Sequence, residues 1–344
     1  MTSDESRAAA WRDQGGFIEW TPAGGGPAVR IFHGSTGPAD GPVLLLVHGF
    51  PTSSVDWFDV VPALAARFRV CWLDFPGYGF SDKPADFPYS LQLDADLLEH
   101  VLTEVIGADR CTVVAHDRGD SVALVLHERS ASGTAAIAID HLVLTNGNMF
   151  LPLSNLTPFQ KVVLDPTTAA ELLRALSPEA LAVGMGRSTF TPPRGLDDPA
   201  IAALAECFAT NDGIAVLHHT IQYLCERARD ERRWLEVLAE SSTPTTLVWG
   251  VFDDVSPVRV ANHVWQAYLR GKPGSNEYWL LPAANHYLQD DQPEALVDVL
   301  LASFDRTGPA APGPLSPSIG APIRVDHSST IGLPAAEDVL APLR

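Results

Sequence analysis

Cysteine is scarce in this chain. There are 4 in 344 residues, and Cys71, Cys111, Cys207 and Cys225 show no spacing suited to ligating a metal. That argues against both a disulfide scaffold and a structural zinc site. Basic residues are also few: 23 Lys and Arg against 42 Asp and Glu give a formal charge of −19. Such a surface repels nucleic acid and anionic lipid. No apolar run reaches transmembrane length. Residues Met1 to Gln14 mix Asp4, Glu5, Arg7, Arg12 and Asp13 without an apolar centre, so they do not read as a secretory signal. No internal repeat is present. These absences leave the expectation of a reduced, cytoplasmic protein, monomer or homodimer, acting on a small molecule. Partnership with nucleic acid or membrane is not expected.

What is present is a hydrophobic content of 46% and an alternation of short apolar runs with longer amphipathic ones. Phe17 to Trp20 and Val29 to Phe32 read as opening strands. Strands and helices then alternate: Val43 to Val47, Trp57 to Arg67, Arg69 to Leu73, Leu91 to Ile106, Cys111 to Ala115, Gly119 to Arg129 and His141 to Thr145. This order predicts an α/β protein with a mostly parallel sheet covered on both faces. It breaks at Gly147. From 147 to 242 the chain is rich in Ala, Leu, Glu and Arg, punctuated by Leu156-Thr157-Pro158, Asp165-Pro166, Ser177-Pro178 and Thr191-Pro192-Pro193. Several helices inserted between two core strands predict a cap over the site. The core thus comprises 1–146 and 243–306. The proline-rich stretch 307–344 reads as a disordered or loosely attached tail.

The most informative segment is Val113-Val114-Ala115-His116-Asp117-Arg118-Gly119-Asp120-Ser121. An apolar strand runs into a sharp turn flanked by small residues, and a helix follows. That outlines a nucleophile elbow with aspartate at its apex. A carboxylate there suits displacement at a saturated carbon, leaving an ester that water must cleave. The strand Val43 to Val47 ends at His48-Gly49-Phe50-Pro51, a loop placed to donate a backbone N–H. The Phe50 and Arg118 N–H groups would form the oxyanion hole. Thr245 to Trp249 leads into Asp253 and Asp254, and Tyr278 to Pro282 leads into His286. The order Asp117, Asp253, His286 is that of a nucleophile–acid–histidine triad. Asp120 stands where it would favour the following helix N-terminus. The alternating charges of Glu226 to Arg233 read as a solvated helix face.

At these residues, from about Phe17 to Phe304, the chain resembles the α/β-hydrolase superfamily and its epoxide hydrolase and haloalkane dehalogenase branch. His48-Gly49-Phe50-Pro51-Thr52-Ser53-Ser54, Leu73-Asp74-Phe75-Pro76-Gly77-Tyr78-Gly79, Thr145-Asn146-Gly147, Asn211-Asp212-Gly213 and Arg232-Arg233-Trp234 resemble the mesoderm-specific transcript-like hydrolases. The resemblance implies an α/β-hydrolase fold with a helical cap. It also marks departures. Haloalkane dehalogenases hold the halide with a tryptophan after the nucleophile and often an asparagine after His-Gly; Arg118 and Phe50 stand there. Epoxide hydrolases of this branch carry two cap tyrosines, and the cap here has one, Tyr223. Fluoroacetate dehalogenases share Asp-Arg-Gly but add an arginine four places after the nucleophile, where this chain has Ser121.

The expected chemistry is epoxide opening by Asp117, followed by ester hydrolysis by water that His286 activates, with no cofactor and no metal. His48, Trp57 and Tyr223 are candidate substrate-binding residues. One alternative is dehalogenation of a halogenated acid whose carboxylate Arg118 binds. Another is a non-catalytic ligand-binding protein on the same fold.

Overall fold

Val43 to Val47 is apolar at every position, so it can pair only where both faces are covered. A computed structural model, describing residues 5–305 and 320–325, places it near the middle of a nine-stranded sheet. The strands are β1 (Gly15–Trp20), β2 (Val29–Thr36), β3 (Val43–Val47), β4 (Arg69–Leu73), β5 (Arg110–His116), β6 (Ala138–Thr145), β7 (Thr245–Gly250), β8 (Asn276–Leu281) and β9 (Ile323–Arg324). Their spatial order is β1-β2-β4-β3-β5-β6-β7-β8-β9. Strands β3 to β8 pair in parallel, while β1, β2 and β9 run antiparallel to their neighbours. The C-terminal ends of the parallel strands therefore share one edge. That is where ligands of open α/β sheets bind.

Core helices α1 (Arg7–Arg12), α2 (Val61–Leu64), α3 (Leu91–His100) and α4 (Arg118–Ala131) precede the insertion. A single helix over Trp57 to Arg67 is not formed. Ser54–Trp57 is one 3-10 turn, and α2 begins afresh with Pro62 in its first turn. A continuous helix would have placed that proline in its interior, where it lacks an N–H and clashes with the preceding turn.

Between β6 and β7 lie α5 (Pro158–Leu164), α6 (Pro166–Ala175), α7 (Pro178–Ser188), α8 (Pro199–Ala209), α9 (Leu217–Thr220) and α10 (Tyr223–Glu240). The dipeptides Thr157-Pro158, Asp165-Pro166 and Ser177-Pro178 are helix starts. The first residue's side chain accepts an N–H of the opening turn and the proline takes the first helical position. Asp198-Pro199 opens α8 in the same way. After β7 the core resumes with α11 (Val258–Val264), α12 (Leu288–Asp291) and α13 (Pro293–Phe304).

The composition past Arg306 points to a disordered or loosely attached tail, and residues 320–325 are its one described piece. Strand β9 pairs with β8, and the Val325 N–H donates to the Tyr278 carbonyl at 2.7 Å. The Arg324 guanidinium lies over Trp279 and bonds Glu277. Two residues of pairing and a cation–π contact suffice to hold this piece on the edge of β8. The remaining residues of 307–344 lie outside the described residues.

Candidate active site

The apex of the elbow is a strained residue. Asp117 has φ 51° and ψ −114°, a conformation an L-residue adopts only when its surroundings enforce it. Two glycines make room. A Cβ on Gly119 would sit 2.7 Å from the Val47 carbonyl oxygen, and one on Gly49 would sit 2.7 Å from the Asp117 Cβ. Neither position admits a side chain, so the β3 and β5 loops close onto each other and trap Asp117 between them.

The Asp117 carboxylate is buried, and its two oxygens differ. Oδ2 accepts the Phe50 N–H at 2.9 Å, and the Arg118 N–H also favours the charged form. Among the described residues Oδ1 has no hydrogen-bond partner, and it lies 3.9 Å from His286 Nε2. Burial raises the Asp117 pKa, opposed by His286 and the two N–H groups. His286 Nδ1 meets Asp253 Oδ2 at 2.9 Å. Burial alone would lower the His286 pKa. Pairing with Asp253 and Asp117 outweighs it and lifts the pKa to about 9. Asp253 is buried and Asp254 exposed, so the first acid of the pair is the one that reaches the imidazole.

Asp253 is itself fixed on both oxygens. Oδ1 accepts the N–H groups of Val255 at 2.7 Å and Ser256 at 3.0 Å. Oδ2 accepts Asn146 Nδ2 at 2.7 Å in addition to the imidazole. Asn146 also takes the Gly250 N–H and reaches the Asn285 carbonyl, tying β6, β7 and the histidine loop together. Its role was not legible in the sequence beyond the Thr145-Asn146-Gly147 pattern, because the contacts bridge positions over a hundred residues apart. Asp291 is a second such residue. It accepts the Asn285 N–H at 2.8 Å from the histidine loop, and from the cap it takes the Thr191 N–H and the Arg194 guanidinium. One carboxylate thus ties the cap to the loop that carries His286.

Several expected roles are corrected by burial. His48 does not face a substrate. Its Nε2 accepts the Phe75 N–H and its Nδ1 bonds the Gly49 carbonyl. Burial pushes its pKa down to about 3, leaving a neutral ring that splints two loops. Trp57 is fully buried in the core. The Arg118 guanidinium is ion-paired with Asp94 and enclosed by the rings of Phe75, Tyr78 and Tyr223, 5.1–5.6 Å from their centres. Asp120 does stand in the first turn of α4, where it is buried and also accepts the Thr145 N–H. The charged run of α10 is half interior. Arg227 is fully buried with Nε 2.7 Å from Ser121 Oγ, while Glu226 and Glu231 accept the N–H groups of Leu91 and Leu151. Periodicity could not separate these from the exposed Arg229, Arg232 and Arg233, since sign alternation is the same on both faces.

Above Phe50 and His286 the cap closes over a cavity of about 390 Å³. Its wall includes Phe159, Leu181, Met185, Val255 and Tyr287, and contains no arginine or lysine. Tyr223 does not line it. That ring packs against Phe50, 6.0 Å between centroids, and its hydroxyl, buried in the electrostatic field of Asp117, has no hydrogen-bond partner among the described residues. Burial, and then the nearby Asp117, hold the Tyr223 pKa well above its ordinary value, so it keeps its proton. Among the described residues no group of three His, Cys, Asp or Glu side chains is placed to hold a metal ion.

Residues 44–299 match the model of the alpha/beta hydrolase family. The Mycobacterium tuberculosis protein LipZ is 35% identical over 302 residues, covering 88% of this chain and 99% of that one. The mouse mesoderm-specific transcript protein is 29% identical over 307 residues, covering 85% of this chain and 86% of that one. Among solved structures, an α/β hydrolase fold protein from Burkholderia ambifaria is 28% identical with a TM-score of 0.66, over 83% of this chain and 97% of that one. The haloalkane dehalogenase DbeA from Bradyrhizobium elkani is similar in fold, with a TM-score of 0.68 at 22% identity over 84% of this chain and 97% of its own. With this match extending from β3 into α13, the chain belongs to the alpha/beta hydrolase family.

Proposed function

We propose that this protein opens an alkyl epoxide and hydrolyses the resulting ester to a diol. The observation that carries this reading is the asymmetry of the Asp117 carboxylate. One oxygen is held by backbone N–H groups, and the other, beside His286, has no hydrogen-bond partner among the described residues. Oδ1 attacks an epoxide carbon as the ring C–O bond breaks, and the freed oxygen takes the Tyr223 hydroxyl proton. Oδ2 becomes the ester carbonyl oxygen, already seated in the oxyanion hole. A neutral His286 then takes a proton from water, whose oxygen adds to the Asp117 carbonyl carbon. The Phe50 and Arg118 N–H groups stabilise the oxyanion on Oδ2. Collapse releases the diol as its alkoxide, which His286 protonates, and the proton left on the Asp117 carboxyl passes by way of solvent to the Tyr223 phenolate, restoring both groups.

Two features favour an epoxide over a halogenated acid. Among the described residues the cavity wall carries no arginine or lysine for a carboxylate, its one basic side chain, His286, is already paired with Asp253, and Asp94 occupies the guanidinium of Arg118. Ring strain also lowers the need for a group that stabilises a leaving halide. A screen of epoxides, haloalkanes and halo-acids tests the reading: diol formation is the expected result, and halide release from a halo-acid alone would overturn it. Binding without any turnover, unchanged in Asp117→Ala, would instead support a non-catalytic protein.

Tyr223→Phe gives a narrower test. Losing a positioned proton donor costs about 100- to 10,000-fold in the ring-opening step. The expected loss is in single-turnover ester formation, with ester hydrolysis unaltered. Equal ester formation in the two proteins would leave Tyr223 as packing against Phe50.

A further inference from the structure

A second cavity of about 670 Å³ lies within the cap, among α6, α8 and α9. Its inner wall is apolar, with Leu173, Phe208 and Ile214, and its rim carries Arg174, Asp212 and His218. Among the described residues, Leu176 alone lines both this cavity and the one above His286. It occupies the short join between α6 and α7, in extended conformation (φ −91°, ψ 124°), directly before the Ser177 cap. Its side chain is half-buried and its backbone belongs to neither helix, so rotation there disturbs no helical hydrogen bond.

We infer that the substrate site continues past Leu176 into this second cavity. The favoured substrate is then an unbranched alkyl epoxide too long for the first cavity alone, and Leu176 is the gate that sets chain length. The placement rests on Asp117 opening an alkyl epoxide, as proposed above. The reacting carbons lie at Asp117 and His286, and the chain runs along the apolar wall of α7. It passes Leu176 and ends near the charged rim of the second cavity. Each methylene withdrawn from water into apolar surroundings strengthens binding roughly fourfold. Chain length therefore selects strongly as long as the passage remains open.

The test uses the terminal epoxides of butane, decane and hexadecane with the full chain, read as kcat/KM. The wild type is expected to prefer hexadecane over decane and decane over butane. Ala170 and Ala215 are exposed residues lining the second cavity, remote from the reacting atoms. Ala170→Trp and Ala215→Trp should lower the hexadecane value at least tenfold and leave butane within twofold. Leu176→Trp should lower the hexadecane value at least tenfold by closing the passage. Equal values for the long epoxide in the wild type and all three variants would overturn the inference, as would a wild type indifferent to length beyond decane. Calorimetric binding of the unreactive decanamide and hexadecanamide separates this from the catalytic reading. If no epoxide turns over, that reading fails. The inference still stands if the wild type holds the longer amide more tightly and the tryptophan variants lose that preference, and it falls if they do not.

Discussion

In His286→Gln, incubation with an epoxide the wild type hydrolyses is expected to leave the substrate's mass on the peptide carrying Asp117. Glutamine preserves much of the packing but cannot take a proton from water. Ring opening by Oδ1 does not require that base, whereas hydrolysis of the ester does. Steady-state turnover should fall by about a thousandfold or more, while a stoichiometric first turnover remains. The pH dependence follows from the same two groups. In the resting site both carboxylates raise the His286 pKa to about 9. Forming the ester removes the Asp117 charge, so the imidazole becomes easier to deprotonate when a neutral base is needed. Wild-type ester hydrolysis should therefore rise with pH to a plateau whose midpoint lies below 9, and ester formation should be lost toward acid pH as Asp117 gains a proton. Mass spectrometry of the trapped variant and rapid-quench kinetics across pH read both. An adduct on a serine, or none with turnover intact, would remove Asp117 from the role of nucleophile.

Asp94→Ala is expected to destabilise the fold by about 3–5 kcal/mol, the usual result of removing one partner of a buried ion pair. Arg118 and Asp94 are 3% and 5% exposed, and the guanidinium sits among three aromatic rings where water cannot replace the lost carboxylate. Urea unfolding should show the loss as a lower midpoint at unchanged slope. The double variant Asp94→Leu with Arg118→Met should recover most of it, since an apolar pair of similar volume removes the stranded charge. It should also still form the ester, because residue 118 serves the site through its backbone N–H. A single-variant loss below about 1 kcal/mol would mean that the pair behaves like an exposed one. Loss of ester formation in a stable double variant would give the guanidinium a chemical part that the epoxide reading does not use.

The architecture was legible wherever local pattern and burial agree. Val43 to Val47 is a continuous apolar run and Val113 to Ala115 a shorter one, which a two-sided sheet accommodates. The cap–proline dipeptides of the insertion carry helix starts in two residues. The elbow is readable because strand, apex and helix are contiguous in sequence, so one glycine and one alanine report the sharp turn. Asp253 and His286 are legible by their position just past strand ends. Long side chains in charged runs are the opposite case. Nothing local distinguishes Arg227, fully buried against Ser121, from the exposed Arg229 two residues on. His48 likewise carries the same residue type whether it meets a ligand or two backbone groups.

Sequence by itself determined the order of strands and helices, the aspartate at the bend and the chain positions of its two partners, because those depend on short-range periodicity and steric need. Only the tertiary structure decided which polar groups are spent inside the protein and which are left for a ligand. Asp94 takes the Arg118 guanidinium, Asn146 fixes Asp253, and Asp291 joins the cap to the histidine loop. Those pairings bring together residues far apart in the chain, and low-dielectric burial makes each of them all or nothing: a polar group there is either matched or costly.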